Sequence, residues 1–214
     1  MRIQDSETKY NLKKEPIKES LIDSLWNKIR PSLKYVPALS VFFIAIFFLT
    51  SKTDTLNTKI GEEKVYTLTD GSKIYLNSVS SLIVDKDYNL VNRKVELKGE
   101  AYFEVEKGTL PFIIKTEYGE VTVLGTSFNL KNRSESFELG VTSGLVNFTS
   151  KVKSYNLEKG QELQISQNYL NKNRLKKTYA DYPSWRYNKV FCDEKSLKQI
   201  SLELERKFDI SFTF

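Results

Sequence analysis

The stretch VELKGEAYFEVEKGTLPFIIKT, residues 95–116, decides the fold of this chain. Its first half alternates, with Ala101, Phe103 and Val105 on one face of an extended chain and glutamates on the other. A period of two is typical of a β-strand that buries one face. We therefore predict that the apolar set points into a core and that Glu100 and Glu104 are exposed.

Short segments of the same kind recur on both sides of this stretch. They are separated at short intervals by Gly or Asn-Asp turns, and no helical period of useful length intervenes. Val121 and Val123 join the predicted core. The result is an antiparallel all-β domain over residues 60–167, either a sandwich or a short solenoid. Its predicted strands after the first hairpin are 81–84, 94–97, 101–105, 112–116, 120–124, 127–131, 137–141, 145–148 and 161–165.

The first hairpin of this domain is predicted from its turn. Asp70-Gly71-Ser72 lies between two alternating segments, so residues 65–76 read as two strands. Asp closes its own backbone turn and Gly accepts a positive φ angle, which gives the turn a chemical reason.

The composition excludes several classes of function. The chain has 214 residues, no His and one Cys, Cys192, so a histidine base, a His-containing zinc site and an intrachain disulfide are all absent by inventory. The formal charge is +6, but Lys is interleaved with Asp and Glu without a dense basic run, so we predict no nucleic-acid partner. Thirteen Phe and twelve Tyr favour strand-rich structure.

The glutamates of the quoted stretch could be read as catalytic carboxylates. Alternate residues of a strand lie about 7 Å apart on one face, and glycosidases use carboxylate pairs at comparable separations. The same alternation also follows if Glu100, Glu104 and Glu106 simply occupy the solvated face, and this interpretation is favoured. We predict no catalytic residue, no cofactor site and no metal site.

Residues 35–51 form an uncharged and strongly apolar segment. Its length is at the lower limit for a membrane-spanning helix. Lys28, Arg30 and Lys34 precede it without nearby acids, which predicts a cytoplasmic N-terminus and a periplasmic remainder. Residues 1–34 would be a short cytoplasmic segment whose amphipathic end, with Leu25, Trp26 and Ile29, binds a protein or lies on the bilayer; residues 52–59 would be a linker.

The C-terminal part reverts to mixed structure after a basic linker over residues 168–184. We predict a strand over 187–192, a helix over 194–207 with Asp193 as its N-cap, and a strand over 210–214. Leu197, Ile200, Leu204 and Phe208 share one face of that helix, which would hold it down.

Five segments in a fixed order resemble the FecR-type periplasmic domain of Bacteroidetes. They are LTDGSKIYLNSVSSL (68–82), the stretch quoted first, VTVLGTSFNL (121–130), VTSGLVNF (141–148) and LEKGQEL (157–163). Residues 185–214 resemble the domain that ends such proteins and that is similar to the signalling domain of outer-membrane transducers. Against this family the chain looks shortened at both ends.

The resemblance implies an anti-sigma factor in the inner membrane of a Gram-negative bacterium. Its cytoplasmic part would hold an extracytoplasmic-function sigma factor, and its periplasmic part would receive a signal from a TonB-dependent outer-membrane receptor. The partner-binding residues would be Leu25, Trp26 and Ile29 on the cytoplasmic side. On the periplasmic side they would be Phe191, Leu197, Ile200, Leu204 and Phe208.

Two other classes of function are weighed against this one. A signal-anchored β-protein for envelope structure or carbohydrate binding would need an exposed aromatic platform, and the alternation leaves few aromatic side chains for one. An enzyme is disfavoured by the missing His and by the lack of paired acids on separate strands.

Overall fold

The computed structural model of this chain describes Trp26 and residues 40–42, 53–134, 136–165, 174–178, 181–192 and 195–213. The chain divides into two compact units, Met1–Ser51 and Lys52–Phe214. In the first unit the described residues are helical and exposed. Most of the predicted spanning segment 35–51 lies outside the described residues, and among those described no helix has the length and apolarity needed to cross a membrane.

The second unit is mainly β. Its described residues contain thirteen strands, one 3-10 helix, Ser184–Tyr187, and one α-helix, α1, Leu197–Phe208. The strands are β1 Asp54–Thr58, β2 Lys64–Thr67, β3 Lys73–Leu76, β4 Ser80–Val84, β5 Arg93–Glu104, β6 Phe112–Lys115, β7 Glu120–Val123, β8 Ser127–Arg133, β9 Ser136–Ser143, β10 Leu145–Thr149, β11 Ser154–Glu158, β12 Gln161–Ile165 and β13 Arg174–Lys177.

Strand β5 belongs to two sheets at once. Its first half pairs with β4 and β6 in a first sheet of order β1-β4-β5-β6-β7-β10-β11, and its second half pairs with β3 and β8 in a second sheet of order β2-β3-β5-β8-β9-β12-β13. The change of sheet occurs at Gly99, whose φ is 104°. A tight turn joins β11, at the edge of the first sheet, to β12, near the edge of the second. The two sheets are thus connected there as well as through β5, and together they nearly close into a barrel.

The core lies between the inner faces of the two sheets. Phe103 and Phe128 are fully buried and stack with ring centroids 5.1 Å apart, and Phe137 and Phe148 lie 4.7 Å apart. The predicted core residues Ala101, Phe103, Val105, Val121 and Val123 are all buried. The alternation of residues 95–105 was therefore read in the correct register.

The predicted hairpin is also present. Strands β2 and β3 pair through Val65↔Tyr75 and Thr67↔Lys73, and Gly71 has a φ of 87°. The Asp70 carboxylate accepts from the Ser72 backbone N–H at 3.0 Å, as expected of an Asp that closes its own turn.

Asp70 also belongs to a buried polar cluster at one end of the second unit. Arg93 donates to Asp70 at 3.0 Å, and their side chains are 3% and 6% exposed. The Tyr88 hydroxyl donates to the same carboxylate at 2.8 Å. Although burial opposes ionisation, these hydrogen bonds hold the pKa of Asp70 below its usual value. The cluster ties the β2–β3 turn and the β4–β5 loop to the start of β5.

Several predictions about the strands are wrong. Strands β5 and β6 are parallel, through Arg93↔Phe112, so the domain is not wholly antiparallel. The predicted strands 94–97 and 101–105 are one continuous strand. Residues 54–58 are a strand rather than linker, β11 was not predicted, and β13 lies inside the predicted linker 168–184.

The C-terminal β-α-β prediction is correct only for its helix. Residues 187–192 are not a strand, and neither are the described residues 210–213. Helix α1 begins after Ser196 rather than after Asp193, because Ser196 and Gln199 form a capping box.

Candidate functional site: the C-terminal segment on the second sheet

Residues 181–192 and 195–213, here called the C-terminal segment, pack on the outer face of the second sheet. The contact begins at Tyr182, which is 6% exposed and lies against Gly140 in β9. A Cβ atom at position 140 would clash with the Tyr182 ring. Gly140 is therefore required by the close approach of the segment, which crosses the sheet at this point.

A chain of side-chain hydrogen bonds fixes Trp185 to the sheet. Its indole N–H donates to Asn129 Oδ1 at 3.1 Å, and the Asn129 amide donates to Glu100 at 2.9 Å. The other carboxylate oxygen of Glu100 accepts from Asn77 at 3.0 Å. Asn129 lies on β8, Glu100 on β5, and Asn77 directly after β3, so one tryptophan is coupled to three neighbouring segments of the sheet.

Arg186 lies between two tyrosine rings of the same face. Its guanidinium carbon is 3.9 Å from the ring centroid of Tyr75 and 4.3 Å from that of Tyr102. Its Nη1 is 3.5 Å from Glu104, which also accepts from the Tyr75 hydroxyl at 3.2 Å. A cation over two rings and beside a carboxylate is a favourable arrangement.

Helix α1 is held by a buried lysine of β8. Lys131 Nζ lies 2.6 Å from Glu203 of α1 and 3.5 Å from Glu138 of β9, and the Lys131 side chain is 6% exposed. Lys195 binds Glu203 at 3.0 Å from the other side. Ser201 is the buried residue of the helix. The helix is therefore held to the sheet by an ion-pair cluster, beside which Ile200 and Leu204 are half-buried.

The charges of this contact shift each other's pKa in the expected directions. Burial alone would lower the pKa of Lys131, but Glu138, Glu100 and Glu203 together hold it above its usual value. Burial would raise the pKa of Glu203, but Lys131 and Lys195 hold it below its usual value. Each group thus stabilises the charged form of its partner, so both are ionised at neutral pH.

The end of α1 contacts the loop that joins β1 to β2. The backbone N–H of Gly61 donates to the carbonyl of Arg206 at 2.8 Å. Lys207 Nζ lies 3.5 Å from Glu63 and 3.1 Å from Asn188 Oδ1. A cavity of about 60 Å³ remains under the segment, lined by charged and amide side chains that include Glu100, Lys131 and Glu203.

The predicted helix face was only partly correct. Leu197 and Phe208 are 75% and 58% exposed, so they do not hold the helix to the sheet. Ile200 and Leu204 are half-buried, as is Phe191. On the cytoplasmic side, Leu25 and Ile29 lie outside the described residues, and Trp26 is helical and exposed.

The exposed part of α1 continues into the residues that follow it. Ile210 and Phe212 are 45% and 42% exposed, and the Phe212 backbone N–H donates to Glu205 at 2.9 Å. The C-terminal segment therefore presents an exposed apolar surface. We call its residues the helix patch: Leu197, Phe208, Ile210 and Phe212. Leu197 and Phe208 are among the residues predicted to bind a partner, whereas Ile210 and Phe212 were not predicted to do so.

The glutamates of β5 are not the solvated row that was predicted. Glu100 and Glu104 are half-buried because Trp185 and Arg186 lie over their face of the strand. Each is engaged by neutral or cationic side chains of the protein itself. Among the described residues, no group of three or more Cys, Asp or Glu side chains could hold a metal ion.

Trp185, Arg186, Lys131 and Glu203 were missed by the sequence analysis. Their main partners are distant along the chain: Trp185 and Asn129 are separated by 56 positions, and Lys131 and Glu203 by 72. A local signal was present only for the helix start, where Ser196 and Gln199 have the spacing of a capping box.

Comparisons with known proteins agree with this architecture. Residues 54–147 match the family model described as FecR protein. The fold is similar to a crystal structure of a proposed anti-sigma factor from Parabacteroides distasonis ATCC 8503, with a TM-score of 0.67 and 24% identity over 74% of this chain and 76% of that one. A second such structure from the same organism gives 0.66 and 25% identity over 73% and 75%. A comparison with curated proteins finds no match.

Proposed function

We propose, from the match of residues 54–147 to the FecR family model, that the chain is an anti-sigma factor that carries a signal across the inner membrane. The similarity in fold to proposed anti-sigma factors supports the regulatory role. We propose a regulatory rather than a catalytic role for this chain. In this proposal the chain works by changing its contacts.

In this proposal each part of the chain has its own role. Residues 1–34 hold an extracytoplasmic-function sigma factor in the cytoplasm, and residues 35–51 cross the membrane as a helix. The β-domain is a rigid periplasmic scaffold. The C-terminal segment receives the signal from the signalling domain of a TonB-dependent receptor.

One observation carries the periplasmic half of the proposal, namely the helix patch. The segment is held to the sheet by polar contacts, while Leu197 and Phe208 remain 75% and 58% exposed. Apolar side chains that stay exposed on a docked helix offer a surface to a partner. The alternative of a carbohydrate-binding β-protein finds less support, since Arg186 covers the rings of Tyr75 and Tyr102.

The sigma-factor contact is tested with the full chain. The chain is extracted from membranes with an affinity tag, and the recovery of a co-expressed sigma factor of the same organism is measured. We expect Trp26→Ala with Ile29→Ala to lower the affinity about tenfold, as for anchor residues of an interface. Val152→Ala, at a position that is 95% exposed in the β-domain, is the control. A wild-type chain that retains no sigma factor would overturn the proposal.

The receptor contact is tested in the same preparation. The probe is the signalling domain of a TonB-dependent receptor encoded beside the gene, and its binding to the full chain is measured by titration. Leu197→Ser with Phe208→Ser should weaken binding about tenfold or more, and Val152→Ser should leave it unchanged. Equal binding by both variants would remove the helix patch from the proposal.

The topology has its own experiment. A phosphatase fused after the last residue should be active, because the enzyme folds only in the periplasm, and a fluorescent protein fused there should be dark. The opposite result in a membrane-inserted chain would invert the orientation that the flanking lysines predict.

A further inference from the structure

The core of the β-domain is complete without the C-terminal segment. Among the described residues, the buried apolar cluster between the two sheets and the side chains packed against it all come from residues 56–165. The helix of the segment has Ser201 as its buried residue, and Tyr182 is 6% exposed where it lies against Gly140. Because apolar burial is the main favourable contribution to folding, the β-domain does not need the segment to stay folded.

The ion pairs of the contact are divided so that both sides keep a counter-charge. Lys131 of β8 lies 2.6 Å from Glu203 of α1, but Glu138 of the neighbouring strand also lies 3.5 Å from the same ammonium. Glu203 in turn is bound by Lys195 of the segment itself, at 3.0 Å from each carboxylate oxygen. Breaking a buried ion pair costs most when the remaining charge has no other partner. Separation of the segment from the sheet leaves neither Lys131 nor Glu203 in that state.

The hydrogen bonds of the sheet follow the same arrangement. Asn129, which accepts from the Trp185 indole, keeps its own bond to Glu100 of β5, and its oxygen becomes open to water when the indole leaves. Tyr102, whose ring lies under the segment, bonds through its hydroxyl to Thr142 of β9 at 2.8 Å. Two surfaces whose polar groups are satisfied separately form the kind of interface that is found in transient contacts between domains.

Arg186 makes the contact that belongs to the docked state alone. Its guanidinium carbon lies 3.9 and 4.3 Å from the ring centroids of Tyr75 and Tyr102, and its Nη1 lies 3.5 Å from Glu104. A guanidinium stacks on aromatic rings and pairs with a carboxylate through a planar fork, which an ammonium does not reproduce. The Arg186 side chain is still 26% exposed, so water reaches it in the docked state. The same group is therefore stable against the sheet and in solvent.

We propose that the part of the C-terminal segment that follows Pro183 is a detachable strap, hinged at Tyr182 and latched by Arg186. Its release uncovers the rings of Tyr75 and Tyr102 on the outer face of the second sheet. As a switch the strap rests on the proposed function, since a partner bound to the helix patch favours one of its two states. The two states themselves are a property of this chain, and they are tested without a partner.

The two states are detected by amide hydrogen exchange of the full chain in detergent micelles, at increasing urea concentrations below the unfolding transition. A released α1 of 12 residues is a marginal helix in water, so its amides exchange once the strap detaches. We expect them to exchange at least about 100-fold faster than the amides of β5 and β8, with little dependence on urea because detachment exposes little surface. Amides of α1 that exchange at the rate of those in β5, and with the same urea dependence, would overturn the strap.

The latch is tested by substitution and chemical rescue. Arg186→Ala should speed the exchange of α1 about tenfold and leave β5 unchanged, and ethylguanidinium at about 10 mM should restore the slower rate by filling the vacated place. Ethylammonium, which has the charge without the planar fork, should not restore it. The matched control is Lys153→Ala, which removes an exposed cation 4.9 Å from the ring centroid of Tyr155 on the first sheet and should leave α1 unchanged.

The outcomes keep the strap, its latch and the proposed function apart. Rapid exchange confined to the strap, with rescue by ethylguanidinium only, is the expected result. Unchanged exchange in Arg186→Ala, or equal rescue by the two cations, overturns the role of Arg186 as the latch. A receptor domain that does not bind the helix patch alters none of these rates, so that result counts against the proposed function and not against the strap.

Discussion

Strand β5 runs through both sheets, and its two halves can be compared position by position. On the inner side Leu97 and Phe103 are both fully buried. On the outer side the first half shows Glu96 and Lys98 with side chains 45% and 63% exposed, whereas Tyr102 in the second half is 7% exposed. The strand's own pattern is the same in both halves, so the difference comes from the C-terminal segment that covers only the second.

The burial of the two faces of this strand therefore depends on residues at different distances along the chain. The inner face follows from alternation along each strand, because every strand contributes its apolar side to one core. The outer face follows from whichever distant segment packs on it. Four expected results test this contrast, and they are given from the largest effect to the smallest.

The inner face should respond alike in both halves. Phe103→Ala is expected to lower the free energy of unfolding by about 3–5 kcal/mol and Leu97→Ala by about 2–5 kcal/mol, because each leaves a cavity in a fully buried site. Denaturant melts measure both, with Val152→Ala as an exposed control. A loss below about 1 kcal/mol for Phe103→Ala would show that the register is wrong.

The outer face should respond differently in the two sheets. Lys131→Ala removes the cation that Glu203 and Glu138 face, and it is expected to cost about 1–3 kcal/mol because part of that negative charge stays buried. Lys98→Ala on the first sheet should cost less than about 0.5 kcal/mol, since its pair with Glu96 is exposed. Amide exchange of α1 in the two variants measures the effect, and equal exchange would contradict the contrast.

A single hydrogen bond should have a smaller but measurable effect. Trp185→Phe keeps most of the ring and removes the donor to Asn129, which is 2% exposed. The unpaired acceptor should cost about 1–2 kcal/mol in the docking of the C-terminal segment. Asn147→Ala, which breaks hydrogen bonds on the exposed face of the first sheet, is the matched control and should cost less than about 0.5 kcal/mol.

The smallest effect is expected from pH in the neutral range. The pKa of Glu203 is lowered, so its contribution is present above its unfolded pKa of about 4.3 and is lost as pH falls through the lower folded pKa. The pKa of Lys131 is raised, so its contribution is lost only as pH rises through a pKa above the usual value of about 10.4. The docking of α1 should therefore stay constant from about pH 5 to 9. A transition near pH 7 in the protection of α1 amides would contradict this assignment.

The core and the hairpin could be predicted because their signals are local. The alternation correctly predicted that Phe103 and Val121 are buried, and the Asp70-Gly71 dipeptide correctly predicted a turn. Strand β1, with the sequence DTLNT, was missed because Leu56 is its one apolar residue, so the strand has no apolar alternation. The parallel pairing of β5 with β6 depends on how the chain crosses between them, which no period along either strand encodes.

The candidate site could be predicted only as a helix at the correct place. The sequence indicated which residues of α1 are apolar, but it did not show that Lys131 would hold the helix by Glu203 instead. A buried ion pair between residues 72 positions apart produces no recognisable sequence pattern in either segment. Leu197 and Phe208 therefore had the chemistry of partner-binding residues, while the contact that docks the helix could be seen only in the fold.

The hydrogen bond from Gly61 to Arg206 gives the molecule a short mechanical path. Gly61 follows β1 by three residues, and within the described part of the chain β1 pairs with β4 alone. Tension applied to α1 would pass through Gly61 and pull β1 along its own direction, relative to β4. The backbone hydrogen bonds between β1 and β4 would then be loaded together in shear, so this edge strand would hold or slip as one unit.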